Sequence, residues 1–145
     1  MLIPEDYVAD LGVRLALYRR LGGLEAQADI DGFAAELIDR FGPLPPAVEH
    51  LLKLIAIKRL CREAGVARVD AGAKGAVLSF HDDRFANPAG LVAFIGRQPA
   101  GVRLRPDHSL LIARDWSAPE DRLAGVHEIL GSLAGIARVG HDSDD

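Results

Sequence analysis

The chain has 145 residues, a formal net charge of −4 and one cysteine, Cys61. That length suggests one domain, able to bury about two thirds of its unfolded surface in its own core. The acidic balance argues against binding nucleic acid by bulk electrostatics, no apolar run reaches the ~18 residues of a membrane span, and the lone cysteine suits a reducing, cytoplasmic setting.

The opening Met1-Leu2-Ile3-Pro4-Glu5-Asp6 has no basic stretch and does not read as a signal peptide. Leu11, Leu15 and Tyr18 then recur at helical spacing until Gly22-Gly23. A second helix is expected from about Asp29 to Phe41, with Ile30, Phe33, Leu37 and Phe41 in one apolar stripe joined by Ala34 and Ile38. Glu36 and Asp39 lie off that stripe, with Asp29 nearby and Gly32 one turn earlier. Such an acidic face could dock a basic partner; Arg40, four residues after Glu36, could instead pair with it on a solvated helix face. Gly42-Pro43 stops the helix, with Gly42 expected in the left-handed helical region, and Pro45-Pro46 starts the next. That third helix runs to Gly65. Its first half shows one apolar face (Val48, Leu51, Leu52, Ile55) and its second half another (Leu54, Ile57, Cys61, Ala64), which suggests a central helix between two layers.

After Gly65 the period changes to two. Val66–Asp70 and Ala76–Phe80 flank Gly72-Ala73-Lys74-Gly75, a hairpin composition. Asn87-Pro88 supplies a cap and first turn for a short helix bearing Leu91, Val92, Phe94 and Ile95. Val102–Leu104 and Leu110–Ile112 form a second hairpin, and Ser117-Ala118-Pro119-Glu120 fits a capping box for a last helix. A strand-strand-helix unit of roughly 35 residues thus recurs. The fold class is α+β: an N-terminal three-helix segment packed on a small antiparallel sheet of about four strands, with two further helices. One domain is expected over residues 1–138, and 139–145 as a disordered tail.

Catalytic and cofactor signatures are not found. The Gly72-Ala73-Lys74-Gly75 turn lacks the spacing of a phosphate-binding loop and sits between strands, so no nucleotide cofactor is expected. His50, His81, His108, His127 and His141 never pair at i, i+3 or i+4, and His81-Asp82-Asp83 alone is too few ligands for a metal. Cys61 reads as a structural thiol on an apolar face. Trp116 either anchors its loop in the core or stands exposed as a binding aromatic. Arg14, Arg19 and Arg20 on the first helix, with Lys53, Lys58, Arg59 and Arg62 on the third, offer an alternative role as a nucleic-acid accessory module.

Several segments carry a more specific signal. They are Leu2–Val8, Arg14-Leu15 with Tyr18-Arg19-Arg20, Glu36–Gly42 with Pro45, Lys74-Gly75 with Phe80, and Asn87-Pro88. In this order and spacing, from about Leu2 to Leu133, the chain resembles the C-terminal domain of the bacterial transcription-repair coupling factor family (Mfd). The resemblance implies a fragment of a large ATP-driven DNA translocase that displaces stalled RNA polymerase and recruits UvrA. It implies that this domain is not itself an enzyme. It also implies an autoinhibitory role, in which the domain packs on a UvrB-like N-terminal module and hides the UvrA-binding surface. Glu36 and Asp39 match the family's acidic docking pair, with Asp29, Gly32 and Arg40 as possible contributors. Two departures stand out: Gly32 and Gly90 fall inside predicted helices, and the acidic tail after Gly140 matches no family motif.

Overall fold

The computed structural model describes residues 3–143, with side chains through Val139. Three helices lead: α1 (Leu11–Leu21), α2 (Gln27–Phe41) and α3 (Pro46–Ala64). Then come β1 (Val66–Gly72), β2 (Gly75–Phe80), α4 (Pro88–Arg97), β3 (Val102–Leu104), β4 (Leu110–Ala113) and α5 (Pro119–Ser143). The class is α+β, with one antiparallel sheet in the order β1-β2-β4-β3 and two helices beyond the first three, as the sequence predicts. The chain divides into two compact units, Met1–Arg59 and Leu60–Asp145. The expected boundary at 138 falls within α5, and Asp144 and Asp145 of the expected tail lie outside the described residues.

In the first unit, α1 turns a different line inward from the one its spacing suggests. Leu11 and Leu15 are 55% and 47% exposed, while Arg14, Leu17 and Leu21 are buried. The cause is Arg14, whose guanidinium donates to the carbonyls of Val8 (2.7 Å) and Ala9 (3.1 Å). A buried cation is tolerated when it is hydrogen-bonded in this way. On α2, Ile30, Phe33 and Leu37 enter the core beside Ile3, Val8, Leu17 and Val48, but Ile38 stays 49% exposed. Gly42 has φ 94° and ψ −171°, so glycine is required there, but the left-handed helical region is not occupied. Pro43 follows, and the residue before a proline is driven to extended ψ.

The two apolar faces expected on α3 are one winding line. Val48, Leu52, Ala56, Leu60 and Ala64 are the buried positions, every fourth residue, while Leu54 is 42% exposed. Each step of four overshoots a 3.6-residue turn by about 40°, so the covered line winds by about 160° round the axis. That drift makes the two halves of the sequence look like two different faces.

The second unit is a strand-strand-helix motif used twice. The β1–β2 hairpin closes through Ala73-Lys74, and the two hairpins join where β2 pairs with β4 from Gly75–Ala113 to Leu78–Leu110. Leu78, Phe80, Leu110 and Ile112 are buried, as are Leu91 and Phe94 of α4 and Leu130 and Leu133 of α5. Asn87 caps α4, its side chain accepting from Gly90 N (3.0 Å). Gly90 lies where α4 meets α5, because a Cβ there would come within 2.5 Å of Ile136 Cγ2. The capping box expected at Ser117 does not form. The helix begins at Pro119, and the Ser117 hydroxyl donates instead to Asp115 Oδ1 (2.9 Å). Trp116 is buried, as its core reading expected.

Candidate functional site

The segment ahead of α1 braces the end of α2. The Ile3 amide donates to the Tyr18 hydroxyl (2.7 Å), which ties the start of the segment to α1. The Tyr7 hydroxyl lies 2.8 Å from the carbonyl of Gly42, the C-cap of α2, and 3.1 Å from that of Leu37, and its ring leans on Phe41. The Gly42 carbonyl lies past the last turn and has no intrahelical partner, so an outside donor is favourable there. Burial raises the Tyr7 pKa, which keeps the phenol protonated as a donor.

On this braced helix, Glu36 holds two arginines. Arg20, reaching from α1, meets it fork to fork, with Nη1–Oε2 at 2.5 Å and Nη2–Oε1 at 2.9 Å. Arg40 adds a third contact at 3.1 Å, the i, i+4 pair expected from sequence. Arg20 also lies over the Phe33 ring, 5.0 Å from its centroid, and Arg40 over Phe41 at 4.8 Å. Rings on one side and a carboxylate on the other hold both guanidinia in place. The face is therefore a mixed-charge network rather than a bare acidic patch.

The other expected residues are in several states. Asp29 completes the first turn of α2, its carboxylate accepting from the Ala26 amide (3.1 Å). Gly32 is exposed, and a Cβ there would meet nothing within 4 Å. Asp39 is exposed and has no hydrogen bond or ion pair among the described residues. Glu36, Asp39 and Gly32 thus share α2, with Asp39 as the free acid. Sequence reasoning missed Tyr7 and Arg20 as parts of the site, although both lie in the segments that carry the family resemblance.

The Arg20 hydrogen bonds, then those of Arg40, lower the Glu36 pKa from 4.5 to about 2. A depressed folded-state pKa adds stability above the unfolded value, and that stability is lost as pH falls from about 4.5 through about 2. Carboxyl-detected NMR titration should place Glu36 near 2, and Arg20→Gln should move it back towards 4.5. A Glu36 midpoint near 4.5 in the unsubstituted chain would contradict the fork.

The alternative basic surface loses two of its members. Arg14 is buried, and Arg20 is held by Glu36. Among the described residues, no three His, Cys, Asp or Glu side chains are placed to hold a metal, and no described helix is long and apolar enough to cross a membrane. Cys61 is half-buried, and burial raises its thiol pKa.

With this geometry in view, the comparisons are specific. Residues 1–91 match the model of the TRCF domain. The transcription-repair-coupling factor of Haemophilus influenzae is 33% identical over 133 residues, 92% of this chain and 12% of that protein. The Escherichia coli protein of the same name is 29% identical over 132 residues, 91% of this chain and 12% of its own length. The chain spans about a tenth of the length of these curated relatives. A crystal structure of the C-terminal domain of transcription-repair coupling factor shares the fold, with a TM-score of 0.73 and 21% identity over 94% of this chain and 88% of that one.

Proposed function

From membership of the TRCF domain family, to which this chain belongs, we propose that it is a non-catalytic interaction domain of a larger cytoplasmic, ATP-driven DNA translocase coupling transcription to excision repair. In this reading α2 docks on a UvrB-like module of the same protein. The contact covers the surface that UvrA would use, and it opens when other domains engage RNA polymerase and DNA. Engagement opens it only through a higher affinity for the open state. The observation that carries the reading is the exposed, unpaired Asp39 beside a Glu36 held in a fixed geometry by Arg20 and Arg40.

A basic partner can bind Asp39 without displacing a hydrogen bond or ion pair among the described residues, and can share Glu36 with two arginines already in place. Open space around Gly32 lets a partner backbone come close. The separated UvrB-like module should therefore bind the 145-residue chain. Asp39→Arg should weaken that binding by roughly tenfold, as loss of a close charge pair does. Gly32→Leu should also weaken it while leaving the chain folded, because nothing lies within 4 Å of the added Cβ. Binding unchanged by both substitutions would reject α2 as the docking face.

A further inference from the structure

An apolar hollow and an open strand edge lie together in the second unit, on elements that take no part in the α2 face. Between the end of β2, the start of α4 and the β3–β4 hairpin is a hollow of about 520 Å³. Phe80, Phe85, Pro88 and Leu91 line it, and the two phenylalanine rings lean together at 5.3 Å. Val92 and Leu104 also line it, yet they remain 66% and 44% exposed. Such an apolar hollow accepts a side chain rather than a charged group.

The hollow adjoins an open strand edge. Ala113 N donates to Gly101 O and Arg105 N donates to Ser109 O, both at 2.8 Å, so alternate residues of the β3 stretch face β4. Val102 and Leu104 lie opposite Ile112 and Leu110 in the intervening, non-bonded register. Their amide and carbonyl groups point away from β4, and among the described residues none has a hydrogen-bond partner. An exposed edge of this kind pairs with an added extended chain. Side chains alternate along a strand, so every second residue of the added chain would lie on the Leu104 face, beside the hollow.

The rim gives the charge of the occupant. Asp82 and Asp83 line the hollow with no hydrogen bond or ion pair on either carboxylate among the described residues, against Arg84. Arg103 and Arg105, also exposed, alternate with Leu104 and so belong to the other face of β3. Asp82, Asp83 and His108, the three positive-φ residues other than glycine among those described, all border it. We propose that the β3 edge and this hollow bind an extended segment of another protein, one that adds a strand to β3, inserts a large apolar side chain and sets a lysine or arginine against Asp82 and Asp83.

The probe is a synthetic peptide of about ten residues alternating valine and lysine, in which one central lysine is replaced by phenylalanine, so that phenylalanine and lysines share the face towards the hollow. It is titrated into the 145-residue chain and followed by amide NMR. The expected result is saturable binding, with the largest shifts at Val102, Leu104 and Leu91. Leu104→Lys, Val92→Lys, and a peptide N-methylated on its edge-facing amides should each weaken binding by roughly tenfold or more. Asp82→Asn with Asp83→Asn should weaken it by roughly threefold, and glutamate in place of the peptide lysines should do the same. Asparagine tolerates the φ values of 57° and 53° at these positions, so the turn is kept. Asp39→Arg should change nothing, which separates this surface from the α2 face. No binding at millimolar peptide, shifts centred elsewhere, self-association instead of peptide binding, or equal affinity for the N-methylated peptide would overturn the proposal.

Discussion

Gly75→Ala is expected to lower the melting midpoint of the chain by roughly 10–15 °C. Gly75 opens β2 at φ 128°, a conformation that L side chains rarely adopt. A Cβ built there would lie 1.9 Å from the Ile112 carbonyl oxygen and 2.9 Å from the Arg114 amide nitrogen. Both neighbours are backbone, so no side-chain rotation relieves the clash. Either β2 separates from β4 at the Gly75–Ala113 pair, or the hairpin turn moves. Moving the turn strains the bonds from Arg114 N to Lys74 O (3.0 Å) and from Trp116 N to Ala73 O (2.8 Å). Strain and lost pairing together cost on the order of 3–4 kcal/mol, a large part of a typical domain's stability. Gly72→Ala is the control, since nothing lies within 4 Å of its Cβ and it should melt within a few degrees of the unsubstituted chain. Thermal unfolding followed by circular dichroism decides the matter. A Gly75→Ala variant melting with the control would show that this close approach is not present in solution.

Reversing the charges on α2 should have its main effect outside the chain. If α2 docks on a basic surface of the full-length parent as proposed, Glu36→Arg with Asp39→Arg would present guanidinia to that surface, turning attraction into repulsion. Close charge pairs at interfaces are strong enough for this to shift the closed-to-open balance by roughly a hundredfold. UvrA should then bind the resting protein more tightly, as measured by titration calorimetry. The substitution at position 36 also acts locally. It removes the carboxylate held by Arg20 and Arg40 and puts a third cation between them, so the isolated double variant should melt somewhat below the original. Asp39→Arg alone breaks no hydrogen bond or ion pair among the described residues and isolates the docking effect. Unchanged UvrA affinity in a folded double variant would return both residues to an ordinary solvated helix face.

Element types were well marked in the sequence because glycine, proline and asparagine act locally. Asn87-Pro88, Gly65 and the Ala73-Lys74 turn each lie at the boundary their chemistry implies. Which side of an element is buried was less legible. Arg14 counts as polar in any hydrophobic pattern, yet it lies on the buried line of α1 because carbonyls of the preceding segment receive it. Ile38 counts as apolar and stays exposed. Ser117 has the right spacing for a cap, but Asp115, two residues earlier, takes its hydroxyl. The candidate site divides in the same way. The Glu36–Arg40 pair follows from helical spacing, whereas Arg20 is 16 residues from Glu36 and meets it only through the packing of α1 on α2. Sequence alone therefore could not tell that Glu36 is neutralised and Asp39 is free.

The seam between the two strand-strand-helix halves bears on the order of assembly. Each hairpin closes over a short loop, an event of microseconds that needs little chain to be gathered first. The β2–β4 ladder joins residues 32 to 38 positions apart, from Leu78 with Leu110 to Gly75 with Ala113. Its entropy of closure must be met before any of its contacts form. The halves can therefore gain local structure independently, while the second unit becomes cooperative only when this ladder zips. Until then, both edges of each hairpin are open to pairing with another chain, so the interval before zipping is when a nascent copy is most prone to join the wrong molecule.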